Sequence, residues 1–326
     1  MTLEAPMRGR GLVTFLGKLI VSATLLAALF WRVDYDTFFR TLQMLPLKVF
    51  LGCAGLYILG YLISTFRWQR LLLAEGIRLP FGQLILVYFK ASFFNLFLPT
   101  LIGGDIVRGY SIYRITQGHN ASLASILADR LSGFAALVGI AMVALAVGYR
   151  QLRDPQAAAM ILTVALVFVA MITLLLHNRM KDGASRVFRT VGLTRFQVKF
   201  QAMVEALQRY SRHRRILGQA IVLSVLLQSL IIVTYFWIGA SLNLGIPMAY
   251  FFLYVPLITV AAMLPISVAG LGVREGSAVY FFAKLGVESA AALTMSLIWF
   301  SLTLVVSGLG GLAFLLDPYS IKEERV

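Results

Sequence analysis

Charged residues are scarce in this sequence: they make up 13% of its 326 residues, whereas apolar residues make up 60%. Soluble globular proteins carry about a quarter charged residues, so the composition excludes a soluble enzyme and a disordered chain. The one cysteine, Cys53, excludes an intrachain disulfide and a metal site built from cysteines. The three histidines, His119, His177 and His213, are too widely separated to present a metal together. We therefore expect neither a metal site nor a cofactor.

The sequence also lacks the motifs of ATP-driven motors and of common hydrolases. Its only Gly-Lys pair, Gly17-Lys18, is followed by Leu19, so there is no Walker A phosphate loop. Neither a Gly-x-Ser-x-Gly nucleophile elbow nor an HExxH zinc helix is present. We therefore predict no catalytic residues and expect a transporter rather than an enzyme.

Long apolar runs are what the sequence has in abundance. A membrane-spanning helix needs about 20 mainly apolar residues, and six runs are of this kind: 12–31, 47–65, 123–147, 157–176, 216–242 and 290–316. Two further apolar stretches, 81–98 and 248–264, run directly into Pro/Gly segments that carry charge. The pattern predicts an all-α polytopic membrane protein that forms a single transmembrane domain over residues 1–326.

Basic residues give the predicted orientation. In the segment 177–215 they far outnumber the two acidic residues, Asp182 and Glu205. Loops rich in Lys and Arg stay in the cytoplasm, so this segment is predicted to be cytoplasmic, together with both termini and the loop from Arg67 to Arg78. We expect a multi-pass protein of a bacterial inner membrane.

The same segment contains apolar residues at helical spacing, namely Phe196, Phe200, Met203, Leu207 and Tyr210. This spacing predicts an amphipathic helix on the inner leaflet; the alternative is a solvated connector. The net charge of +15 favours contact with anionic inner-leaflet lipids, and we expect no nucleic-acid partner. The sequence leaves open whether the protein forms homo-oligomers.

One motif occurs twice. Leu98-Pro99 is followed by Gly103-Gly104 and Arg108, and Leu264-Pro265, 166 residues later, is followed at the same distances by Gly270 and Arg274. The flanking apolar runs recur at a similar offset, which predicts two repeats, 12–148 and 157–316. Three predicted crossings lie between the motifs, an odd number, so the repeats have inverted topology. Inverted repeats are typical of transporters with a substrate site near the membrane midplane.

Each Pro/Gly segment must begin and end on the same side of the membrane, either as a re-entrant hairpin or as two short crossings. We favour re-entrant helical hairpins, because Pro99 and Gly103-Gly104 break a helix where a tip is needed and Lys90 lies midway along 81–98. Irregular backbone at membrane depth must be buried in protein or line a watery cavity. The prediction is therefore six full crossings and two hairpins whose tips meet at a cavity.

The residues after each break suit an anionic headgroup. A helix begins there, its free N–H groups favour a phosphate, and glycine lets that phosphate approach the backbone. Arg108 and Arg274 would add a positive fork suited to phosphate; alternatively, they pair with Asp105 and Glu275 and pin the hairpins. Arg130 either lines the cavity or reaches the headgroups. The candidate substrate-binding residues are Asn95, Gly103, Gly104, Asp105, Arg108, Asp129, Arg130, Gly270, Gly272, Arg274 and Glu275.

These motifs resemble the flippase-like transmembrane family of lysylphosphatidylglycerol synthases over roughly residues 12–316. The resemblance rests on Asn95 to Pro99, Gly103 to Asp105 with Arg108, Asp129-Arg130, and Pro265 with Ala269 to Glu275. The best-known members join this membrane module to a cytosolic aminoacyl transferase domain. We expect a stand-alone member without that domain. The resemblance implies lipid translocation and gives no support to lipid synthesis. The second copy of the motif has Ala269-Gly270 where the first copy has the Gly103-Gly104 pair.

The function expected from the sequence is a flippase or scramblase for a phosphate-containing lipid. A phospholipid and a polyprenyl-phosphate lipid are both candidate cargoes, and aminoacylated headgroups are included. Two alternatives stay open: an integral-membrane enzyme that modifies a lipid headgroup, and a non-transporting scaffold for a lipid synthase.

Overall fold

Helices account for nearly all of the described structure. The computed structural model describes residues 35–97, 103–116, 119–148, 154–176, 213–264 and 266–316, with isolated positions at 20, 23, 24, 27, 31, 204, 208 and 210. The continuous ranges contain ten α-helices, one 3-10 turn and no strand. The helices are α1 (Tyr35–Gln43), α2 (Leu47–Ala74), α3 (Phe81–Phe97), α4 (Gly103–Thr116), α5 (His119–Gly148), α6 (Pro155–Leu176), α7 (Arg214–Ser241), α8 (Met248–Ala262), α9 (Val273–Ala283) and α10 (Ser289–Leu316), and the 3-10 turn Val268–Gly270 precedes α9.

Among the described helices, α2, α5, α6, α7 and α10 are each long and apolar enough to cross a membrane. They coincide with five of the six predicted crossings, so the chain is an all-α membrane protein. The remaining predicted crossing, 12–31, lies outside the described residues except at isolated positions. The predicted tip residues 98–102 and Pro265 also lie outside them.

The two helices that lead into the Pro/Gly segments are short. α3 has 17 residues and α8 has 15, which at about 1.5 Å per residue gives lengths of roughly 25 and 22 Å. The hydrocarbon core of a bilayer is about 30 Å thick. α3 packs against α4, and α8 against α9, as the two arms of a hairpin would. The choice of re-entrant hairpins over short crossings stays a prediction.

The loop predicted from Arg67 to Arg78 begins later than the sequence pattern suggested. α2 continues through Arg67 to Ala74, and Arg67 is buried. No helix breaker occurs between Thr65 and Gly76, so the helix has no local reason to end at the first arginine. The assignment of Arg67 to a cytoplasmic loop is therefore wrong.

The described helices occur in corresponding pairs. α2 and α7 both have 28 residues, and α8 follows α7 at the spacing at which α3 follows α2. The helix contacts match in the same way, since α3 packs on α10 as α8 packs on α5.

The central pair, α2 and α7, is antiparallel. Gly52 lies against Trp237, Gly60 against Leu227, and Arg67 bonds to Ser224, so the numbers rise along α2 as they fall along α7. Antiparallel contact between corresponding helices is the relation that two oppositely oriented repeats require.

The largest apolar core lies on one side of this central pair. It is formed mainly by α7, α8, α9 and α10, with aromatic residues such as Phe251, Tyr254 and Phe282 fully buried. Four of the buried charged residues, Arg67, Asp105, Arg108 and Asp129, gather instead where α2, α4 and α5 meet.

One described residue of the predicted amphipathic face, Tyr210, also lies within the protein. It is buried, and its hydroxyl donates a hydrogen bond to the carbonyl oxygen of Leu71 at 3.0 Å. The other four residues of that face lie outside the described residues.

Candidate functional site

A cavity of about 270 Å³ lies between the two predicted repeats. Helices α2, α3, α4, α5 and α7 provide most of its wall, and Trp299 of α10 also lines it. The wall is mixed: aromatic and aliphatic side chains alternate with polar ones. The charged residues that line it are Arg67, Asp105, Arg108, Asp129 and Arg130.

These five side chains form one ion-paired network. Asp129 accepts from Nε of Arg67 at 2.7 Å and from Nη2 of Arg108 at 3.0 Å. Asp105 accepts from Nη1 of Arg108 at 3.3 Å and from Nε of Arg130 at 2.9 Å. Each carboxylate is therefore held between two guanidinium groups, and Arg108 bridges the two carboxylates.

The network ties together helices that are distant in sequence. Arg67 lies on α2, Asp105 and Arg108 on α4, and Asp129 on α5. Nη1 of Arg67 also donates to Oγ of Ser224 at 2.7 Å, which brings in α7. Buried charges are costly and persist only when they are paired and hydrogen-bonded. A polar network of this extent inside a membrane protein is therefore a candidate functional site.

Arg108 occupies the centre of the network, and one of its three guanidinium nitrogens has no partner among the described residues. Its guanidinium lies 4.3 Å from the ring centroid of Trp68 and 4.7 Å from that of Tyr88. The residue is only 3% exposed, and its Nε has no hydrogen-bond partner among the described residues. A buried donor without a partner is costly, so this nitrogen is left unsatisfied by the described residues.

The charges around the cavity do not cancel. Among the described residues that line it, three arginines face two aspartates, which leaves a net charge of +1. The side-chain oxygen of Gln228, another lining residue, has no hydrogen-bond partner in the described part of the chain. The wall of the cavity thus combines a net positive charge with a buried nitrogen, Nε of Arg108, and a buried neutral oxygen, Oε1 of Gln228, that have no partner among the described residues.

Gly104 joins α3 to α4 at one edge of the cavity. Its backbone N–H donates to Oδ1 of Asn95 at 2.7 Å. A Cβ on Gly104 would collide with the carbonyl oxygen of Ala91 and lie 2.6 Å from Nδ2 of Asn95. Glycine is therefore required here so that the two helices can approach closely, and Asn95 already uses one of the free amides at the start of α4.

An apolar groove adjoins the cavity on the outer side of α4 and α5. Its volume is about 330 Å³, and Ile106, Tyr110 and Leu123 are exposed along it. Asp105 lines both the groove and the cavity. The side chain of its partner Arg130 is 43% exposed. The Asp105–Arg130 pair therefore lies at the boundary between an apolar surface and the polar interior.

Arg274 and Glu275 form a second, separate cluster. Nη2 of Arg274 donates to Oε1 of Glu275 at 2.6 Å, and the backbone N–H of Gly272 donates to Oε2 at 2.6 Å. Phe300 lies under the arginine, 5.0 Å from its guanidinium. Neither charged residue lines the cavity. Glu275 thus caps the start of α9 while it neutralises its neighbour.

The turn before α9 differs from its counterpart before α4. Ala269 and Gly270 have φ values of 51° and 75°, in the left-handed region that favours glycine. A Cβ on Gly270 would lie 3.0 Å from the carbonyl oxygen of Ala262. Gly103 and Gly104 are instead the first residues of a regular helix. The departure noted in the sequence is therefore also a departure in backbone shape.

The predicted site residues thus divide into two groups. The structure brings Asn95, Asp105, Arg108, Asp129 and Arg130 to one cavity. Gly104 is bonded to Asn95 of its wall, and Gly103 begins α4. Gly270, Gly272, Arg274 and Glu275 lie in the second cluster. The arginine pairs with Asp105 and Glu275 that the sequence offered as an alternative both occur. Arg130, for which two positions were open, lines the cavity.

Sequence reasoning missed Arg67, Trp68 and Tyr88 as parts of the site. A helical signal for Arg67 was present, since Ser64 and Gly60 lie three and seven residues before it on one face. The contacts of Trp68 and Tyr88 with Arg108 had no such signal, because they depend on how three helices meet.

The fold and the cavity together define a polytopic helical membrane protein with a buried arginine–aspartate site. The family model described as the lysylphosphatidylglycerol synthase TM region matches residues 15–311. The chain therefore belongs to this family, which associates it with membrane lipid. No curated protein matches the chain.

Proposed function

We propose that the protein moves a phosphate-bearing lipid between the leaflets of the inner membrane and binds its headgroup in the cavity. The family supports a lipid-related role in a membrane. The observation that carries the proposal is the unpartnered Nε of Arg108 in a cavity of charge +1. A phosphate oxygen is the acceptor that an arginine fork binds best.

The contacts around Arg108 give each neighbour a part in this binding. Asp105 and Asp129 hold the guanidinium through its two terminal nitrogens, so Nε is the nitrogen that we assign to the ligand. Trp68 and Tyr88 fix the plane of the group from the sides. The Gln228 oxygen would accept a hydrogen bond from a headgroup hydroxyl. The arginine is thus preorganised, and binding costs little further ordering.

The groove beside Asp105 would hold the hydrocarbon chain of the same lipid. An apolar channel next to a polar pocket suits an amphipathic cargo, since the chain stays in an apolar environment while the headgroup enters the protein. Leaflet exchange would then follow from rocking or gating of the two oppositely oriented repeats around the bound headgroup. Both termini would face the cytoplasm.

The proposal is tested with purified protein in vesicles that carry a fluorescent phospholipid, by measuring how much label is protected from an external quencher. Arg108→Lys keeps one positive charge beside both aspartates but loses the planar fork. We expect it to slow exchange about tenfold to a hundredfold, because hydrogen bonds to charged groups are worth about 1.5–3 kcal/mol. Arg108→Ala should abolish exchange.

Arg70→Lys is the matched control. Arg70 also lies on α2, but it does not line the cavity. Its guanidinium packs on Phe66, 4.7 Å from the ring centroid. It should leave exchange unchanged. Wild-type exchange in well-folded Arg108→Lys protein would refute the binding site. A new lipid species formed during the incubation would favour the enzyme alternative over transport.

A further inference from the structure

We infer that the cavity selects lipids whose headgroup is net negative and rejects headgroups that carry an aminoacyl ammonium. The inference rests on the proposed function and narrows its substrate class: phosphate with neutral hydroxyl groups is accepted, and an added cationic amine is not. Three features of the cavity carry it, namely the pairing of both carboxylates with arginine, the surplus of arginine, and a buried amide oxygen that is neutral and has no partner among the described residues.

Both carboxylates that line the cavity are already occupied. In Asp129, Oδ1 accepts from Arg67 and Oδ2 from Arg108. In Asp105, Oδ1 accepts from Arg108 and Oδ2 from Arg130. An ammonium ion has three donors and no acceptor, so inside a membrane it needs oxygen atoms that carry charge. To obtain them here it would have to share an oxygen with an arginine that is already paired there, and the two positive charges would repel each other.

The surplus positive charge acts in the same direction. Three arginines and two aspartates line the cavity in the described part of the chain. A phosphodiester of charge −1 brings this sum to zero, whereas a headgroup with an additional lysyl group would raise it to +2. Like charges brought together in a partly dehydrated site are strongly disfavoured. The site therefore attracts the first lipid and repels the second.

The free acceptor is also neutral. The side-chain oxygen of Gln228 has no partner, while its amide nitrogen donates to the carbonyl oxygen of Gly133 at 3.5 Å. An amide oxygen suits the hydroxyl of a glycerol or sugar headgroup, but it supplies no charge to balance an ammonium. The polar groups left free in the cavity thus match phosphate at Arg108 and hydroxyl at Gln228.

The test is competitive binding to the purified full-length protein. Equimolar phosphatidylglycerol, with a headgroup charge of −1, and lysyl-phosphatidylglycerol, with a charge of +1, are offered in detergent, and the bound lipids are counted by native mass spectrometry. We expect wild-type protein to prefer phosphatidylglycerol by about tenfold or more. Equal binding, a preference for the lysyl lipid, or binding of neither would overturn the inference.

Two matched variants test whether the lipid preference arises in the cavity. Arg130→Gln brings the cavity charge to zero and frees Oδ2 of Asp105, so the preference should fall about tenfold. Lys284→Gln removes one positive charge from an ion pair with Asp154, which lies outside the cavity at 3.0 Å, and should leave the preference unchanged. If both variants shift it equally, the inference fails.

Exchange in vesicles is measured on the same preparations and separates this inference from the proposed function. Protein that binds phosphatidylglycerol selectively but does not move it supports the selectivity and refutes transport. Protein that moves both lipids at the same rate supports transport and refutes the selectivity.

Discussion

Arg108 holds the buried charges of the cavity together, because among the described residues it alone forms ion pairs with both Asp105 and Asp129. Removing one partner of a buried ion pair costs about 3–5 kcal/mol, since the other charge is left unpaired. Removing the Arg108 side chain would take one partner from each of two buried carboxylates. Binding and folding are thus coupled at a single side chain, which is why the lysine substitution is the more informative test of function.

Gly104 offers a prediction about packing that does not involve charge. In Gly104→Ala the added methyl group would collide with Ala91 and Asn95. We expect a loss of about 1–3 kcal/mol, the usual cost of overpacking, and the loss should appear as a lower Tm in detergent.

Gly82→Ala is the control on the neighbouring helix. A Cβ on Gly82 would have no neighbour within 4 Å, and alanine is a better helix former than glycine by about 1 kcal/mol. Its Tm should equal or slightly exceed that of the wild type. A Gly104→Ala protein as stable as Gly82→Ala would show that α3 and α4 are not closely packed at this point.

A local motif was enough to indicate which charged residues near the first Pro/Gly segment lie together. Asp105, Arg108, Asp129 and Arg130 share one cavity, as their positions at a helix start and at the beginning of a crossing suggested. Arg67 was not predicted as a site residue, because its charge was taken to indicate a loop. A charged residue in an apolar run lies either in a loop or beside a buried partner. The partner of Arg67 is Asp129, 62 positions later, and the sequence alone does not identify it.

At the scale of elements, Asp154 connects the start of α6 to α8 and to the end of α9. Its Oδ1 accepts from the backbone N–H of Ala157, which caps α6. Its Oδ2 accepts from Nζ of Lys284 after α9 and from the hydroxyl of Tyr254 on α8, both at 3.0 Å. One carboxylate therefore fixes the end of α6 against two other helices.

This junction predicts a pH dependence of stability. Burial raises the pKa of Asp154, but the bonds from Ala157, Lys284 and Tyr254 outweigh it and leave the pKa below the ordinary value, which is about 3.9. A lowered pKa in the folded state stabilises the protein above the unfolded pKa, and the effect is lost as the pH falls through the folded pKa. The stabilisation should therefore be complete above about pH 5 and disappear below pH 4.

Asp154→Asn and Asp154→Ala test this dependence through Tm in detergent. Asparagine still caps a helix but loses the charge, so we expect a loss of about 1.5–3 kcal/mol at pH 7. Alanine also loses the cap and should cost about 1 kcal/mol more. The difference between wild type and Asp154→Asn should vanish in acid. A difference that persists at low pH would mean that Lys284 does not stabilise the folded state through this carboxylate.

Elements were more predictable than their boundaries. Five of the crossings follow from apolar length alone, because each run matches the thickness of a bilayer. The amphipathic helix α1 was missed, since its 9 residues are too few for that criterion. The burial of Tyr210 against Leu71 was also missed, because an apolar helical face looks the same whether it meets lipid or protein.

At the scale of the whole molecule, the two arginines that follow the repeated motif occupy different surroundings. Arg108 lines the cavity and Arg274 does not. Aromatic residues lie between them: Trp299 lines the cavity and stacks on Tyr235 with ring centroids 4.5 Å apart. Tyr235 is close enough to Arg274 and Glu275 to feel their charges. If a headgroup bound at Arg108 also meets Arg274 while the proposed repeats move around it, it would meet the two arginines in turn.

This arrangement predicts that binding and movement are separable. Arg274→Lys keeps the charge beside Glu275 but loses the fork that binds phosphate. We expect phosphatidylglycerol binding in detergent to stay within about twofold of the wild type, because Arg108 is unchanged, while exchange in vesicles falls about tenfold or more. Arg108→Lys should lower both. If Arg274→Lys exchanges lipid at the wild-type rate, the headgroup meets a single arginine and Arg274 only holds the start of α9. If it loses binding as well, both arginines contact one headgroup at once, which would require an arrangement of the repeats in which the aromatic residues have moved aside.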